Sequence, residues 1–354
     1  MTTATTLVNS MESEDITIID IRQDVNTLDL RDEVISGLQA DHPTLPSMLM
    51  WDDRGQKLFD TLTQCPVYYP FHSEAEILNE SGCKFGESIP DQGVLVELGC
   101  GKIRKTKSIL SGVRGLQKRV YYFALDVTHQ GLKSSLAELR ELFEGCPSIA
   151  ITGLLGTYDD CLAWLPYLQQ RGHTSVTILW LGNSIGNIGS HDQASAFLGQ
   201  FGTICKEARL ACQFIVAIDT CSDDDKIARA YGGGLPEYRD FALNALQAAN
   251  RVLGHEAFQL EDWEADNWME QHERTLHLYM AAQHDVVVAL QPEKGNGIRV
   301  AMAKGQRVRL MTTGKWRPDA VADFCHRAGF LVERQWADQA GNCGKCMDLI
   351  SGLF

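Results

Sequence analysis

A glycine turn at the end of an apolar run is the feature of this sequence with the clearest capacity for chemistry. Val94–Leu98 has the apolar residues of a buried strand, with the acid Glu97 near its end. Gly99 and Gly101 follow, separated by one residue. Glycine lets the main chain turn sharply and lets a ligand lie against it where a side chain would collide. We therefore predict a ligand-binding turn at this strand end.

An acid at the end of the next apolar run indicates which ligand this turn binds. Val120–Leu125 reads as a second strand and is followed directly by Asp126. A carboxylate at a strand tip can accept hydrogen bonds from both hydroxyls of a ribose. Arg104 replaces the third glycine of the dinucleotide-binding motif, and the pattern G-x-x-x-x-G-K-[ST] is absent. The arrangement predicts a nucleoside-cofactor site and resembles the first motif of class I S-adenosylmethionine-dependent methyltransferases.

Composition narrows the class of protein. The chain has 354 residues, 44% of them hydrophobic, which suffices for one large or two modest domains. A net charge of -14 and a pI near 5.1 argue against a nucleic-acid or anionic-membrane surface. The eleven cysteines are scattered through apolar segments, which is typical of reduced core thiols. We interpret the one C-x-x-C pair, Cys343 and Cys346, as a turn between two strands and predict no metal site.

No segment of the sequence indicates a membrane or a secretory route. Residues 1–15 contain acids but no lysine or arginine and no apolar targeting core. No apolar run approaches the ~20 residues needed to span a bilayer. We therefore expect a cytoplasmic monomer that binds a small molecule and neither nucleic acid nor membrane.

The elements that would position these residues alternate in type along the chain. From the glycine turn onward, apolar strands alternate with helical patterns such as Gln130–Phe143, which favours a parallel sheet. Asp319–Ala328 reads as the last helix, with closing strands at 330–335 and 347–354. Ligands bind at the carboxyl ends of parallel strands, so the loop after the fourth strand should face the same crevice as the glycine turn. The earlier strands are predicted at 94–98, 119–125, 148–152, 175–181 and 212–219.

Residues 220–316 break this alternation and are too many for a simple crossover. We interpret them as an inserted lobe that covers the crevice, joined by N-terminal helices at 26–38 and 56–63 and by a further helix that Ser73 could cap. The expected fold is α/β, a Rossmann-like doubly wound sheet of the class I methyltransferase type with an inserted α+β substrate-binding lobe. Its predicted parts are a flexible N-terminus (1–15), the N-terminal part of the lobe (16–70), the cofactor-binding core (71–219), the inserted lobe (220–316) and the closing helix and strands (317–354).

A rival enzyme class uses the loop after the fourth strand. Gly182–Gly186 matches G-x-S-x-G, the nucleophile turn of α/β-hydrolases, with Ser184 as the nucleophile. A hydrolase would also need a histidine on a late loop, but His326 lies in a predicted helix, and His277 and His284 lie in or beside apolar strands. The glycine turn would go unexplained. A non-catalytic binding module is the other alternative, although two ligand-facing loops and a lobe favour an enzyme.

Several runs together resemble one methyltransferase family. The chain resembles the histidine-specific methyltransferases that make trimethylhistidine for ergothioneine, a family that also contains fungal N-methyltransferases of tryptophan and dimethylallyltryptophan. The matching runs lie in the family's order and span almost the whole chain: Trp51–Phe59, Tyr68–Pro70, Val96–Gly101, Tyr122–Asp126, Gly153–Asp160, Trp180–Asn187 and Ala230–Tyr231.

The resemblance implies roles for residues at the cofactor, which would be S-adenosylmethionine. Gly99, Lys105 and Asp126 would hold this methyl donor, and Gly156, Thr157 and Tyr158 would lie near its adenine. Glu97 and Gly101 complete the predicted cofactor-binding set.

The resemblance also implies roles at the substrate. In the histidine enzymes, an asparagine and a tyrosine at the positions of Asn187 and Tyr231 hold the substrate carboxylate. Tyr68 would lie beside the side-chain ring and Ser184 near the amine; Trp51 joins the substrate-binding set. Methyl transfer from a sulfonium needs a neutral amine and alignment but no dedicated nucleophile. We group Tyr68, Ser184 and Asn187 as the predicted catalytic residues.

A departure from the family pattern points to the substrate. Histidine enzymes bind the imidazole with a glutamate and a serine two residues apart, and Met311 and Thr313 stand at these positions here. A methionine thioether packs well on an aromatic ring but cannot accept the imidazole N–H as a carboxylate does. The sulfoxide-synthase region of the fungal ergothioneine enzymes is also missing. We therefore expect a stand-alone Nα-methyltransferase of secondary metabolism that acts on tryptophan, with dimethylallyltryptophan and histidine as alternatives.

Overall fold

A mostly parallel eight-stranded sheet with helices on both faces forms the core of the protein. The computed structural model describes residues 16–23, 30–291, 297–338 and 345–352, the last with only the backbone of 345–349. The helices are α1 (Arg31–Leu38), α2 (Asp53–Gln64), α3 (Tyr69–Ser88), α4 (Thr106–Gly115), α5 (His129–Leu142), α6 (Tyr158–Trp164), α7 (Pro166–Gln170), α8 (His191–Glu207), α9 (Asp224–Tyr231), α10 (Pro236–Leu253) and α11 (Pro318–Arg327).

The strands are divided between the core sheet and an added lobe. They are β1 (Ile18–Asp20), β2 (Gly93–Leu98), β3 (Val120–Asp126), β4 (Ile149–Leu155), β5 (Ser175–Trp180), β6 (Ala211–Asp219), β7 (Trp263–Glu270), β8 (Thr275–Ala282), β9 (Val286–Ala289), β10 (Arg299–Met302), β11 (Arg307–Gly314), β12 (Phe330–Ala337) and β13 (Lys345–Gly352). Short 3₁₀ helices lie at Ser47–Trp51, Ser184–Ile188 and Leu260–Asp262.

The core sheet has the order β1-β4-β3-β2-β5-β6-β13-β12. The first six of these strands are parallel, and β13 runs antiparallel to both β6 and β12. The strand order reverses at β2, which pairs with β3 on one side and β5 on the other. Ligands of doubly wound sheets bind beside the carboxyl ends of strands at such a reversal. The predicted doubly wound fold is confirmed, and it brings the loops after β2, β3 and β5 to one crevice.

Burial explains why the core strands could be recognised. All six residues of β2 are buried, as expected for a parallel strand that is covered by helices on both faces. Two separate apolar clusters fill the two sides of the sheet, one containing Val96, Ile178 and Phe214 and the other Leu95, Leu179 and Ile215. Alternate residues of each strand therefore enter opposite layers.

A lobe built from two distant parts of the chain lies at the carboxyl ends of the core strands. Its three-stranded antiparallel sheet has the order β11-β8-β7, and β9 and β10 form a separate two-stranded sheet. Helices α1, α2, α9 and α10 contribute to the same apolar cluster, which includes Val34, Leu62, Phe241, Leu276 and Leu310. The helix at 31–38 and the strands after residue 260 thus share one hydrophobic core.

Local structure differs from the sequence prediction at both ends of residues 16–73. Ile18–Asp20 forms β1, which pairs with β4 of the core sheet, whereas residues 16–70 were predicted to belong to the lobe. Three residues are too few to show the alternating sequence pattern of a strand. Ser73 lies inside α3 and does not cap it, because Pro70 fits the first turn of a helix, where its missing N–H costs no hydrogen bond. The predictions for 1–15, 26–29 and Cys343 lie outside the described residues.

Candidate active site

The glycine turn presents bare main chain to open space. Gly99 has φ +69° and Gly101 has φ +46°, values that glycine adopts readily. A Cβ atom at Gly101 would meet nothing within 4 Å, and one at Gly99 would lie 3.2 Å from the Tyr158 hydroxyl. The turn stays attached to the sheet because the Cys100 N–H donates to the Leu125 carbonyl at 2.9 Å. A ligand can therefore approach the main chain at Gly101.

Asp126 lies beside this turn at the end of β3. Its carboxylate accepts from the main-chain N–H groups of Gly101 and Thr128, each at 3.2 Å, and from Nε2 of Gln56 at 3.0 Å. Burial raises the pKa of Asp126, and these N–H donors oppose that effect. Gln56 comes from α2 of the lobe and was not among the predicted site residues. The carboxylate is thus held by three amides next to the open space at Gly101.

Glu97 is a buried acid of β2, two residues before the first glycine of the turn. Its carboxylate accepts from the Tyr122 hydroxyl at 2.5 Å and from Oγ1 of Thr106 at 2.7 Å. Burial is the main reason that its pKa rises to about 7. Glu97 was predicted to bind the cofactor directly; these contacts instead join β2, β3 and the first residue of α4. The described contacts of Glu97 are structural, and its role in cofactor binding stays a prediction.

Lys105 joins the glycine turn to the loop after β5. Its Nζ lies 3.3 Å from Oε1 of Glu74, a fully buried side chain of α3. The same carboxylate accepts from the Gly182 N–H at 2.8 Å. A Cβ atom at Gly182 would lie 3.1 Å from Lys105 Nζ, so glycine is needed for the approach. Glu74 was missed by the sequence analysis because nothing in its local pattern distinguishes it from a helix-surface acid.

Gly156, Thr157 and Tyr158 close the crevice on the side of β4. The Gly156 N–H donates to the Asp126 carbonyl at 3.1 Å. Thr157 caps α6 by a reciprocal pair of hydrogen bonds with Asp160. The Tyr158 hydroxyl is a hydrogen-bonding neighbour of Ser184 and lies close to Gly99. Of the three residues predicted near the adenine, Tyr158 therefore lies against the glycine turn and Gly156 against the end of β3.

The described contacts of Ser184 are not those of a hydrolase nucleophile. Its hydroxyl donates to the Leu181 carbonyl at 2.8 Å and neighbours Tyr158. The described contacts of Ser184 include no histidine. In the same described ranges, no group of three or more histidine, cysteine or acidic side chains could hold a metal ion. No helix among the described residues is long and apolar enough to cross a membrane.

A row of contacting aromatic rings runs through the lobe. Trp51 contacts Phe59 with ring centroids 5.1 Å apart, and Phe59 contacts Tyr68 at 6.0 Å. Tyr68 in turn contacts Tyr231 at 5.6 Å. These residues come from Ser47–Trp51, α2, the residue before α3, and α9. The predicted substrate residues Trp51, Tyr68 and Tyr231 are therefore brought together.

A buried ion pair lies behind Tyr231. Nζ of Lys315 donates to the Tyr231 hydroxyl oxygen at 2.8 Å and to Oδ2 of Asp219 at 2.7 Å, and both charged side chains are fully buried. Asp219 also accepts from the Tyr69 hydroxyl at 2.8 Å. Asp219 ends β6, so the strand-end argument that identified Asp126 could have identified it as well. Lys315 carried no such signal, since its partners lie far away in sequence.

Thr313 belongs to the same polar group. Its Oγ1 accepts from Nδ2 of Asn183 at 3.1 Å, and Asn183 Oδ1 accepts from the Asp219 N–H at 2.7 Å. Thr313 is also a hydrogen-bonding neighbour of Tyr231. Asn183 has φ +61°, a conformation that asparagine tolerates better than most residues. The loop after β5 thus reaches the lobe through Asn183, which the sequence analysis did not single out.

Asn187 and Met311 line a neighbouring cleft of about 620 Å³. Met311 lies in β11 opposite Leu278 and packs against the hydrophobic core of the lobe. Both were predicted to contact the substrate. In the described contacts none joins Asn187 to Tyr231, its predicted partner in binding a carboxylate. The cleft volume is within the range usual for small-molecule sites, about 300–1,000 Å³.

The sheet order and the ligand-facing glycine turn define a class I S-adenosylmethionine-dependent methyltransferase. The chain belongs to the family described as histidine-specific, S-adenosylmethionine-dependent methyltransferases, whose model matches residues 30–347. The predicted family, enzyme class and cofactor are confirmed, and the hydrolase alternative is excluded.

Similarity to fungal N-methyltransferases extends over most of the chain. It is 36% identical over 330 residues to the N-methyltransferase imqF of Aspergillus flavus, covering 93% of this chain and 87% of that protein. It is 28% identical over 342 residues to the 4-dimethylallyltryptophan N-methyltransferase easF of Epichloe festucae var. lolii, covering 91% and 95%. With ergothioneine biosynthesis protein 1 of Neurospora crassa it shares 31% identity over 248 residues, 70% of this chain and 27% of that protein. The chain is accordingly an N-methyltransferase of the fungal type.

Proposed function

We propose that this protein methylates the α-amine of an aromatic amino acid, with L-tryptophan as the preferred substrate. The observation that carries the proposal is the position of Met311 on β11, two residues before Thr313, where the histidine enzymes of the family carry a glutamate. The aromatic row from Trp51 to Tyr231 supports it. A flat apolar ring gains from packing against such rings and against a thioether.

The cofactor half of the site fits S-adenosylmethionine, which supplies an activated methyl group when bound. Gly99 and Gly101 would accommodate it against bare main chain, because a side chain at Gly101 would fill open space. Asp126 would accept the ribose hydroxyls, and Lys105 would contribute a positive charge held in place by Glu74. The remaining task of the chain is to align a neutral amine, for which no protein nucleophile is needed.

The carboxylate of the amino acid would be held by Asn187 and Tyr231. Burial raises the pKa of Tyr231 well above its ordinary value, so the hydroxyl keeps its proton and can donate. Tyr68 lies against the Tyr231 ring, and Ser184 lies beside Tyr158 near the glycine turn. We propose that Tyr68 packs on the side chain of the substrate and that Ser184 faces the amine. These residues would align the amine without taking part in covalent chemistry.

Specificity against histidine follows from the hydrogen bonds that an imidazole would lose. Burying an imidazole N–H without an acceptor costs about 1–3 kcal/mol. Thr313, two residues after Met311, already accepts from Nδ2 of Asn183. With the apolar gain of an indole ring added, we expect a preference for tryptophan of ~100-fold, since 1.4 kcal/mol corresponds to a factor of ten.

A competition assay tests the substrate directly. Equimolar tryptophan, dimethylallyltryptophan and histidine are supplied together, and the methylated products are quantified by mass spectrometry. We expect Met311→Glu to move activity toward histidine, most clearly together with Thr313→Ser. Met269→Glu is the matched control, because Met269 also packs against the lobe core but lies in β7. Predominant trimethylhistidine from the parent protein would refute the substrate while leaving the family assignment intact.

Dimethylallyltryptophan is the second candidate. The relative from Epichloe festucae var. lolii is named for this substrate, and Met311 lines a cleft of about 620 Å³ that offers room for a larger side chain. A product distribution dominated by the prenylated amino acid in the same competition would select it.

The setting of the reaction is part of the proposal. We propose a cytoplasmic monomer acting on a free small molecule, since the strongly acidic chain disfavours anionic macromolecules. Light scattering after size-exclusion chromatography measures the oligomeric state, and a fluorescent fusion shows the compartment.

A further inference from the structure

We propose that Lys315 is a positioning residue for substrate binding: its ammonium holds the Tyr231 oxygen as an acceptor and thereby directs the Tyr231 hydroxyl hydrogen toward the substrate carboxylate. This inference rests on the proposed function, in which Tyr231 binds that carboxylate. It gives a role to a buried cation that is needed neither for binding the cofactor nor for binding an aromatic ring.

The geometry fixes the direction of the Lys315–Tyr231 hydrogen bond. An ammonium group has three donors and no acceptor, so at 2.8 Å the Tyr231 oxygen must accept from Lys315. Tyrosine has a single hydroxyl hydrogen, which must then point elsewhere. Its neighbours in the structure are the oxygens of Tyr68 and Thr313. A carboxylate at this place would be the strongest acceptor available to it.

The ion pair keeps this arrangement rigid. Asp219 accepts from Lys315 at 2.7 Å and is itself held by the Tyr69 hydroxyl and by the Cys221 N–H at 3.0 Å. Nζ of Lys315 also lies 4.2 Å from the Tyr231 ring centroid. Asp219 ends a core strand, whereas Tyr231 ends a helix of the lobe. The pair therefore fixes a lobe hydroxyl relative to the sheet on which the cofactor turn is built.

The charge balance explains why a cation is useful here. Tyr231 and Asn187 are both neutral, and a substrate carboxylate bound by neutral groups alone in a closed site is poorly compensated. A hydrogen bond donated by a cation polarises the hydroxyl that receives it and strengthens the next bond in the chain. Lys315 would act in this way through Tyr231, while Asp219 keeps the buried cation paired when no substrate is bound.

A double-mutant cycle tests the proposal. The parent, Lys315→Met, Tyr231→Phe and the double variant are assayed with the best amino-acid substrate from a panel and with its decarboxylated amine. We expect Lys315→Met to raise KM for the amino acid by ~10- to 100-fold and to change KM for the amine by less than ~3-fold. In the Tyr231→Phe background the same change should add less than ~3-fold, because its intermediary is gone.

Controls separate positioning from stability. Lys118→Met removes a lysine that binds three main-chain carbonyls away from the site; it should lower the melting temperature and leave the ratio of the two KM values unchanged. If Lys315→Met does not fold, Lys315→Met with Asp219→Asn removes both charges at once and should show the same loss of preference. The affinity for S-adenosylhomocysteine is expected to stay within ~3-fold of the parent in each folded variant.

Two outcomes would overturn the inference. An equal rise of KM for the amino acid and its amine would show that Lys315 only supports the fold. A full effect of Lys315→Met in the Tyr231→Phe background would show that the lysine does not act through this hydroxyl. The substrate proposal fails separately: a preference for histidine over tryptophan refutes it, and the cycle is then run with histidine and histamine.

Discussion

Replacing Asp126 with alanine is the most direct perturbation of the cofactor site. The structure places this carboxylate beside the open face of Gly101, with the Thr128 and Gln56 amides on its other oxygen. A ribose bound there would donate two hydrogen bonds to an ionised group, each worth about 1.5–3 kcal/mol. We therefore expect Asp126→Ala to weaken S-adenosylhomocysteine binding by at least ~100-fold.

The stability of the ligand-free protein should change much less than its affinity. Burial outweighs the amide donors in the pKa of Asp126, which lies above its ordinary value, so the charged group itself is a cost to the fold. Alanine removes this cost together with four hydrogen bonds, from Gln56, Cys100, Gly101 and Thr128. We expect the free energy of unfolding to change by no more than about 1 kcal/mol.

Isothermal titration calorimetry measures the affinity, and urea unfolding measures the stability. Asp159→Ala is the matched control, because Asp159 is an exposed acid in the first turn of α6, next to Tyr158. It removes the same charge near the crevice and should bind the ligand like the parent. Parent-like affinity in Asp126→Ala would show that the ribose does not lie on this carboxylate.

Further predictions follow from burial and from backbone geometry. Burial raises the pKa of Glu97 from 4.5 to about 7, so its contribution to stability is complete below pH 4.5 and is lost as pH rises from 4.5 through 7. Glu97→Gln should flatten this loss, of up to about 3 kcal/mol, in urea unfolding at several pH values; an unchanged pH slope would contradict it. Gly101→Ala should cost about 1–2 kcal/mol of stability from its positive φ, yet weaken S-adenosylhomocysteine binding further in calorimetry; undiminished affinity would show that no ligand lies against Gly101. The buried Tyr238 hydroxyl has no hydrogen-bond partner among the described residues, so Tyr238→Phe should not lower the free energy of unfolding; a loss above about 1 kcal/mol would reveal a partner.

The core strands could be predicted because strands that are buried on both faces consist almost entirely of apolar residues. The strands predicted at 94–98 and 119–125 lie within one residue of β2 and β3, since both are short apolar runs bounded by turn residues. The helix at 129–142 was recognisable from its apolar spacing. Asp126 could be located for a related reason: once an apolar strand is recognised, the residue at its carboxyl end is known as well.

Strand β7 of the lobe was not predicted, because it is only partly buried and its sequence is mixed. β7 reads Trp-Glu-Ala-Asp-Asn-Trp-Met-Glu, and half of its residues are acidic or amide. It forms a strand because its backbone pairs with that of β8. Contacts such as Gln56 with Asp126 and Lys315 with Asp219 join positions 70 and 96 residues apart. Local patterns contain no information about such pairs.

The partners of the buried acids distinguish supporting roles from binding roles around the crevice. In the described part of the chain, Glu74 and Asp219 are each paired with a lysine, and both join elements of the core to neighbouring loops or to the lobe. Glu97 is held by two hydroxyl groups beneath the turn. The hydrogen bonds described for Asp126 come from three amides and from the Cys100 thiol, which solvate a carboxylate without neutralising its charge. Because a ligand hydroxyl gains most from a carboxylate that no cation neutralises, Asp126 is the one of these four acids that we expect to bind the cofactor.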